Sequence, residues 1–156
     1  MNTVEPLRVV RSYTMKLKAP AERVFPLLCP VWEHEYLEDW NAEVLFSESG
    51  VAEPGCVFQT PNPSGPPTVW YITVHDEAAG RIQFVTFTAS ARLGQLDVLL
   101  RRVAGGATEA EFTYTHTAVS REGRRFIAAF TGDAFRRKMV GFEERLNEYL
   151  VRTAGG

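Results

Sequence analysis

The segment Glu33-His34-Glu35 is the first place in this chain where a metal site could be expected. Carboxylates and imidazoles are common metal ligands, but several of them must converge on one point. In a helix that begins near Pro30, residues two apart point to opposite sides, so Glu33 and Glu35 cannot bind the same ion. The acids instead suit the positive N-terminal end of that helix. We therefore expect no metal site and no cofactor.

Glu33 has a second feature, because it shares one helical face with Leu37 and Trp40 at i+4 and i+7. Leu37 and Trp40 favour burial, so Glu33 is predicted to be partly buried with them near a cavity mouth. A buried carboxylate needs a partner. Arg11 is our candidate, because it falls on the otherwise apolar face of the first strand. The alternative is an ordinary exposed glutamate at the start of a helix.

Tyr114 and His116 lie in a strand with clean alternation, which places both on the inner face with Phe112. There they can offer a ligand a hydrogen bond or a general acid–base group. The alternative is that both are satisfied core residues. No acid adjoins them in sequence to orient the histidine, and neither Cys29 nor Cys56 has a neighbouring histidine. We therefore predict no catalytic triad and no cysteine nucleophile.

The elements that must position these residues can be predicted from hydrophobic periodicity. Residues 7–18 alternate as a strand with one buried face. A short helix opens at Ala19-Pro20-Ala21-Glu22 and ends at Cys29-Pro30, where a second short helix begins. From 42 to 120 the pattern is strand after strand with tight turns, which predicts an antiparallel meander.

The remainder of the chain is helical, with a break predicted at Thr131-Gly132-Asp133. Beyond the break an apolar stripe predicts one long amphipathic helix, formed by Phe135, Met139, Phe142, Leu146, and Tyr149 or Leu150. Its outer, solvated face is predicted to carry Arg136, Arg137, Lys138, Glu143, Glu144 and Arg145. The fold class is therefore α+β: a curved antiparallel sheet of about seven strands around a long C-terminal helix, with two short helices after the first strand.

A single helix covers only part of a long twisted sheet, so an internal space lined by large side chains is expected. The predicted inner face of the sheet includes Trp70, Ile72, Val74, Ile82, Phe84, Leu96, Val98 and Leu100. An aromatic pocket would draw on Trp70, Phe84, Phe112, Phe126, Phe130, Phe135 and Met139, and Phe58 is a further candidate ligand-binding residue. The same residues would also serve as an ordinary core, and we expect them to divide between packing and lining.

Composition narrows the class of protein. The chain has 156 residues, 45% of them hydrophobic, which is enough for one domain over 1–156 with a sizeable core. A formal net charge of -2 argues against a chain-wide grip on nucleic acid. No apolar stretch is long enough to span a bilayer, and the N-terminus does not read as a signal peptide. With only two cysteines, a reduced cytoplasmic protein is expected.

The order of elements resembles the START-like or Bet v 1-like helix-grip superfamily over essentially the whole chain. Residues 19–25, the segment 29–40, Gly55-Cys56-Val57-Phe58 and the closing helix also resemble a bacterial branch of that superfamily. The resemblance implies a cavity for a small hydrophobic molecule such as a lipid, a polyketide or an aromatic metabolite. A non-catalytic binder or carrier is the favoured function. The alternatives are a cyclase or dehydratase acting on such a ligand, and a co-chaperone-like interaction module; a homodimer is left open.

Overall fold

The elements of the computed structural model are, in chain order, one strand, two short helical segments, six further strands and two C-terminal helices. The structure describes residues 7–28, 33–37 and 41–154. The strands are β1 Arg8–Leu17, β2 Glu43–Phe46, β3 Val57–Thr60, β4 Thr68–Asp76, β5 Arg81–Thr88, β6 Arg92–Val103 and β7 Ala107–Ala118. The predicted α+β class is confirmed.

All seven strands form one antiparallel sheet in the order β1-β7-β6-β5-β4-β3-β2. Strands β2 to β7 are each paired with their sequence neighbours, as the predicted meander requires. The first strand instead pairs with the last, with Val9 opposite His116 and Tyr13 opposite Phe112. The β6–β7 turn contains Gly105 and Gly106 with φ of +82° and +73°, a conformation that favours glycine.

A β-bulge in β4 corrects one prediction. The pairing with β5 shifts between Ile72 and Val74, so that Val74 lies opposite Gln83 and His75 lies opposite the buried Ile82. An extra residue in a strand reverses the alternation beyond it. Val74 is therefore on the outer face, and His75 takes the inner position, where its ring lies 4.8 Å from that of Phe25.

The short helical segments lie between β1 and β2. Helix α1 covers Ala21–Val24 and continues as a 3₁₀ turn over Phe25–Leu28. A second 3₁₀ turn covers Glu33–Glu35, and the hydroxyl of Tyr36 just after it donates to the Leu27 carbonyl at 2.7 Å. The Tyr36 ring also packs on Phe142, with the ring centroids 5.7 Å apart. These contacts hold the second turn against the long C-terminal helix.

The C-terminal helix is broken where predicted. Helix α2 covers Arg121–Ala129, and helix α3 covers Gly132–Arg152. The Thr131 side chain caps α3 by accepting from the Ala134 amide, which satisfies a donor left free at a helix start. The predicted apolar stripe of α3 packs on the inner face of the sheet, with its four fully buried members being Phe135, Met139, Leu146 and Leu150.

Polar contacts fix α3 to the edge strand β1. The Glu143 carboxylate accepts from the Tyr13 hydroxyl at 2.5 Å and from the Lys16 amide at 2.6 Å. Asn147 accepts from the Lys18 amide and donates to the Lys16 carbonyl, both at 2.9 Å. Glu143 was predicted to face solvent, so this placement is a correction. Burial and the Glu143 hydrogen bond raise the pKa of Tyr13 to about 12.

Candidate ligand-binding cavity

The space between the sheet and α3 forms two adjoining compartments. The inner compartment has a volume of about 220 Å³ and the outer one about 500 Å³. They share four lining residues, Trp70, Leu96, Tyr114 and Lys138. The outer compartment alone exceeds the lower limit of about 300 Å³ that is usual for small-molecule sites.

Aromatic and aliphatic side chains form most of the inner compartment. Phe58 lies under Trp70 with the rings nearly parallel and their centroids 5.3 Å apart, and Phe84 meets Trp70 edge to face at 5.7 Å. The remaining apolar lining residues are Leu28, Leu37, Leu96, Val98, Phe112 and Phe142. The wall therefore comes from the inner face of the sheet, the 3₁₀ turns and α3, as the alternation in the sequence predicted for the sheet residues.

Glu33 and Tyr114 are polar groups set into this apolar wall. The backbone carbonyl of Glu33 accepts from the Leu37 amide at 2.9 Å. The side chains of Glu33 and Leu37, at either end of this helical turn, both line the inner compartment. Burial raises the pKa of the Glu33 carboxyl to about 8, so most of it is protonated at neutral pH. Burial also raises the pKa of Tyr114, and the nearby Glu33 carboxyl adds to this rise. Both groups can therefore offer neutral hydrogen-bond donors to a ligand.

The outer compartment carries positive charge instead. Arg92 and Lys138 both line it, and its described lining residues include no carboxylate. The Arg92 guanidinium lies over the Phe126 ring, 3.5 Å from its centroid, and Lys138 Nζ lies 5.8 Å from the centroid of Tyr114. Loss of hydration lowers the pKa of Lys138, and the Arg92 charge lowers it further. The Lys138 side chain as a whole is nevertheless exposed to solvent while it borders both compartments.

Lys138 and Arg145 are exposed, as predicted for the outer face of α3, but both also line the inner compartment, which was not predicted. The sequence carries a signal for this, since Lys138 stands three residues after Phe135 and four before Phe142. Arg92 was also missed. It stands at even spacing from Leu96 in β6, the same parity that predicted the inward side chains of that strand. In each case the charge of the residue favoured a prediction of full solvent exposure, although the periodicity indicated an inward position.

His116 lies at the outer compartment, 9% exposed, among aromatic rings. The ring centroids of Phe130 and Phe126 lie 4.9 and 5.1 Å from it. Burial, with the charges of Arg92 and Lys138, lowers the pKa of His116 to about 4, so the imidazole is neutral at pH 7. Its Nδ1 atom is buried without a hydrogen-bond partner in the part of the chain that the structure describes.

The close packing of His116 depends on the residue opposite it in β6. Gly94 pairs with both Thr86 and His116, and a Cβ atom placed there would lie 3.0 Å from His116 Nδ1 and overlap the Thr86 hydroxyl. Only a residue without a side chain fits this position. Gly94 thus allows an imidazole and a hydroxyl to lie over the same point of the sheet.

The predicted ligand-binding residues fall into two groups. Those that line the cavity are Glu33, Phe58, Trp70, Phe84, Phe112, Tyr114, His116 and Phe130. Phe135 and Met139 belong to the packed core instead, with Phe135 against the Tyr114 ring at 5.5 Å. Trp40 lies outside the described residues. The hypothesis that Arg11 pairs with Glu33 finds no support, because Arg11 Nε donates to the Phe130 carbonyl at 3.3 Å.

Other parts of the described structure give weaker evidence for a ligand site. A hollow of about 550 Å³ lies along the polar side of α3, lined mainly by charged side chains such as Glu144 and Arg152, away from the inner face. Within residues 7–28, 33–37 and 41–154, no three His, Cys, Asp or Glu side chains are grouped to hold a metal ion. None of the helices described is both long and apolar enough to cross a membrane.

No protein-family model and no curated protein matches this chain. Solved structures do. Norcoclaurine synthase from Thalictrum flavum, in complex with dopamine and hydroxybenzaldehyde, aligns with a TM-score of 0.69 at 8% identity, over 95% of this chain and 89% of that one. Ara h 8.0201 aligns with a TM-score of 0.65 at 12% identity, over 94% and 99% of the two chains. This chain has the Bet v 1-like helix-grip fold.

A bacterial protein shares the helix-grip fold as well. The hypothetical protein jhp0584 from Helicobacter pylori aligns with a TM-score of 0.72 at 10% identity, over 90% of this chain and 87% of that one. The helix-grip fold predicted from the order of elements is confirmed by these alignments. At such low identities they establish the fold, and function must be argued from the cavity itself.

Proposed function

We propose that this helix-grip protein binds a small, largely hydrophobic molecule between the sheet and α3. The observation that carries the proposal is the aromatic inner compartment, which continues into a larger outer one through Trp70, Leu96, Tyr114 and Lys138. Transferring an apolar ligand into such a space is favoured at about 25 cal/mol for each Å² removed from water. The neutral donors Glu33 and Tyr114 would orient the ligand within an apolar wall.

The relatives of known structure give this proposal a context. Ligand complexes exist within the fold, as the norcoclaurine synthase complex with dopamine and hydroxybenzaldehyde illustrates. The cavity of this chain has its own lining, however, and its ligand must be sought with probes matched to that lining. A lipid, a polyketide or an aromatic metabolite would meet the requirement for an apolar body.

The test uses N-phenyl-1-naphthylamine, a neutral aromatic probe whose fluorescence rises in apolar surroundings. We expect saturable binding to the wild-type protein, with energy transfer from Trp70. Leu96→Trp places a large ring at the junction of the compartments and should weaken binding at least tenfold. Leu99→Trp, on the outward face of the same strand, is the matched control and should change the affinity less than twofold.

Either of two results would refute binding in this cavity: no saturable signal with the wild-type protein, or equal loss in both variants. Native mass spectrometry of freshly purified protein provides an independent measurement. A co-purified small molecule that Leu96→Trp displaces and Leu99→Trp retains would support the same conclusion and identify the ligand.

A second candidate function is acid–base catalysis on the bound molecule, of the cyclase or dehydratase type. It is favoured by three titratable groups that line one cavity: Glu33, Tyr114 and Lys138. Burial brings the pKa of Glu33 to about 8 and lowers that of Lys138, so both move towards the range where proton transfer at neutral pH is efficient. This candidate adds chemistry to the same site rather than replacing the binding function.

A simple aryl ketone tests the catalytic candidate. In D₂O, 2-acetylnaphthalene exchanges its methyl protons slowly, and a positioned base should accelerate this exchange. We expect faster deuterium incorporation with the wild-type protein, measured by proton NMR, and loss of the acceleration in Glu33→Gln or Lys138→Met. Acceleration that survives in both variants, or none with the wild-type protein, would leave the protein as a binder.

A further inference from the structure

The charges around the outer compartment are unbalanced. Arg92 and Lys138 both face it, and neither belongs to an ion pair among the residues described. Two arginines of the sheet do form ion pairs, since Arg101 lies 3.5 Å from Glu109 and Arg102 contacts Glu22. What distinguishes Arg92 and Lys138 is that both line one compartment whose described lining residues include no carboxylate, in a chain whose net charge is -2.

These cations are held at a cost that an anion would relieve. The Arg92 charge lowers the pKa of Lys138, and both charges lower that of His116, so the three groups disfavour one another's protonated forms. Aromatic faces replace counter-ions only in part, through Arg92 on Phe126 and Lys138 near Tyr114. Arg92 is half-buried and Lys138 is exposed, so each has lost only part of its hydration, and an anionic ligand would offset that loss.

Glu33 is the only carboxylate among the described lining residues of the two compartments, and it does not neutralise this charge. It lines the inner compartment and forms no ion pair among the residues described. The inner compartment thus combines its apolar wall with Glu33, Lys138 and Arg145, whereas the outer compartment has Arg92 and Lys138 and no carboxylate among its described lining residues. A ligand that matches both compartments has an apolar body and an anionic head.

We infer that the cavity selects amphipathic anions, with an aromatic or aliphatic body in the inner compartment and a carboxylate or sulfonate between Arg92 and Lys138. The inference rests on the proposed binding function and names the ligand class. The planar Arg92 guanidinium would donate two parallel hydrogen bonds to such a head group, and Lys138 would act as a point charge. His116, nine-tenths buried and with no hydrogen-bond partner for its Nδ1 among the described residues, would gain affinity for a proton once the anion is bound.

A matched pair of probes tests the inference. The anion 8-anilinonaphthalene-1-sulfonate has the skeleton of N-phenyl-1-naphthylamine plus one sulfonate group. We expect Arg92→Gln and Lys138→Gln each to weaken binding of the sulfonate at least about tenfold, the loss usual for one charged hydrogen bond. The neutral probe has no head group for either cation, so its affinity should fall at least fivefold less than that of the sulfonate in both variants, and an unchanged circular dichroism spectrum would show that the variants are folded.

Arg137→Gln is the control for charge alone. Arg137 adjoins Lys138 in α3 but is exposed, donates to the Asp133 carbonyl and does not line the cavity. It should leave both affinities within twofold. If the sulfonate probe is insensitive to Arg92→Gln and Lys138→Gln, or equally sensitive to Arg137→Gln, the anion site is refuted while the hydrophobic cavity stands. If neither probe binds the wild-type protein, the proposed function itself fails.

Discussion

Burial has opposite effects on the charge of the titratable side chains in the two compartments. In the inner one burial acts on an acid, raising the pKa of Glu33 to about 8 and leaving it mostly neutral at pH 7. In the outer one burial acts on bases, and it lowers the pKa of Lys138 and Arg92. An arginine begins so high that it stays protonated. Desolvation therefore neutralises the carboxyl of the inner compartment and leaves the outer compartment with two cations and no carboxylate among its described lining residues.

One strand connects the two compartments. Phe112 lines the inner one, Tyr114 lines both, and His116 lines the outer one. These are alternate residues of β7, so their side chains share a face and follow one another along the sheet. The gradient from apolar to polar thus follows a single strand, and the variants below are designed to disturb one end at a time.

The largest expected effect is the loss of stability when an aromatic side chain is removed from the inner compartment, compared with the loss when one is removed from the outer compartment. Phe58 is 1% exposed, whereas Phe126 is partly exposed. Phe58→Ala should lower the free energy of unfolding by about 3–5 kcal/mol, because a cavity remains in a packed region. Phe126→Ala should cost roughly 1 kcal/mol, mostly through lost contact with Arg92. Urea unfolding measures both, and similar losses would contradict the contrast between a packed inner end and an open outer end.

Gly94→Ala probes the outer wall with a single methyl group. The new Cβ would overlap the Thr86 hydroxyl and press on His116, so we expect a loss of about 1–3 kcal/mol of stability from overpacking. Gly132→Ala is the control, because a Cβ added there, at the start of α3, would meet no atom within 4 Å. It should be neutral or slightly stabilising. If Gly94→Ala proves as neutral as its control, the His116 environment is looser than described.

Glu33 should make stability fall as pH rises. Its pKa is about 8 in the folded protein and near 4.5 in the unfolded chain, so between these values the folded state binds more protons and loses stability with increasing pH. Glu33→Gln should remove this slope, gaining on the order of 2 kcal/mol relative to wild type between pH 5 and 8. Thermal unfolding at several pH values tests it; parallel curves for the two proteins would show that the carboxyl is solvated.

His116 should make stability fall as pH decreases, which is the opposite of the dependence expected for Glu33. Its pKa is about 4 in the folded protein against 6.5 in the unfolded chain, so its stabilising contribution is present above pH 6.5 and is lost as pH falls towards 4. His116→Gln should reduce this loss by roughly 1 kcal/mol. Titration of the imidazole by NMR gives the value directly. A midpoint near 6.5 would place His116 in water and weaken the electrostatic argument for the outer compartment.

Much of the fold could be predicted because its elements are periodic. The alternation around Phe112 and Tyr114 and the stripe from Phe135 to Leu150 each require one face to be buried, and the structure buries those faces. The break at Thr131 could be predicted from its capping chemistry. Val74 could not be placed correctly, because a bulge depends on how β4 fits its partner strand and has no clear signature in the composition of one strand.

The residues of the candidate site also divide into those whose position could be predicted from the sequence and those whose position could not. Local sequence determined that Phe58, Trp70, Phe84 and Tyr114 face inward, since a strand presents its side chains with period two whatever surrounds it. Only the tertiary structure decided that Lys138 and Arg92 border a cavity, that Arg11 turns to a helix-end carbonyl, and that Phe135 packs instead of lining. Periodicity specifies a direction from the backbone. Whether that direction ends in solvent, in packed atoms or in open space depends on chain segments far away in sequence.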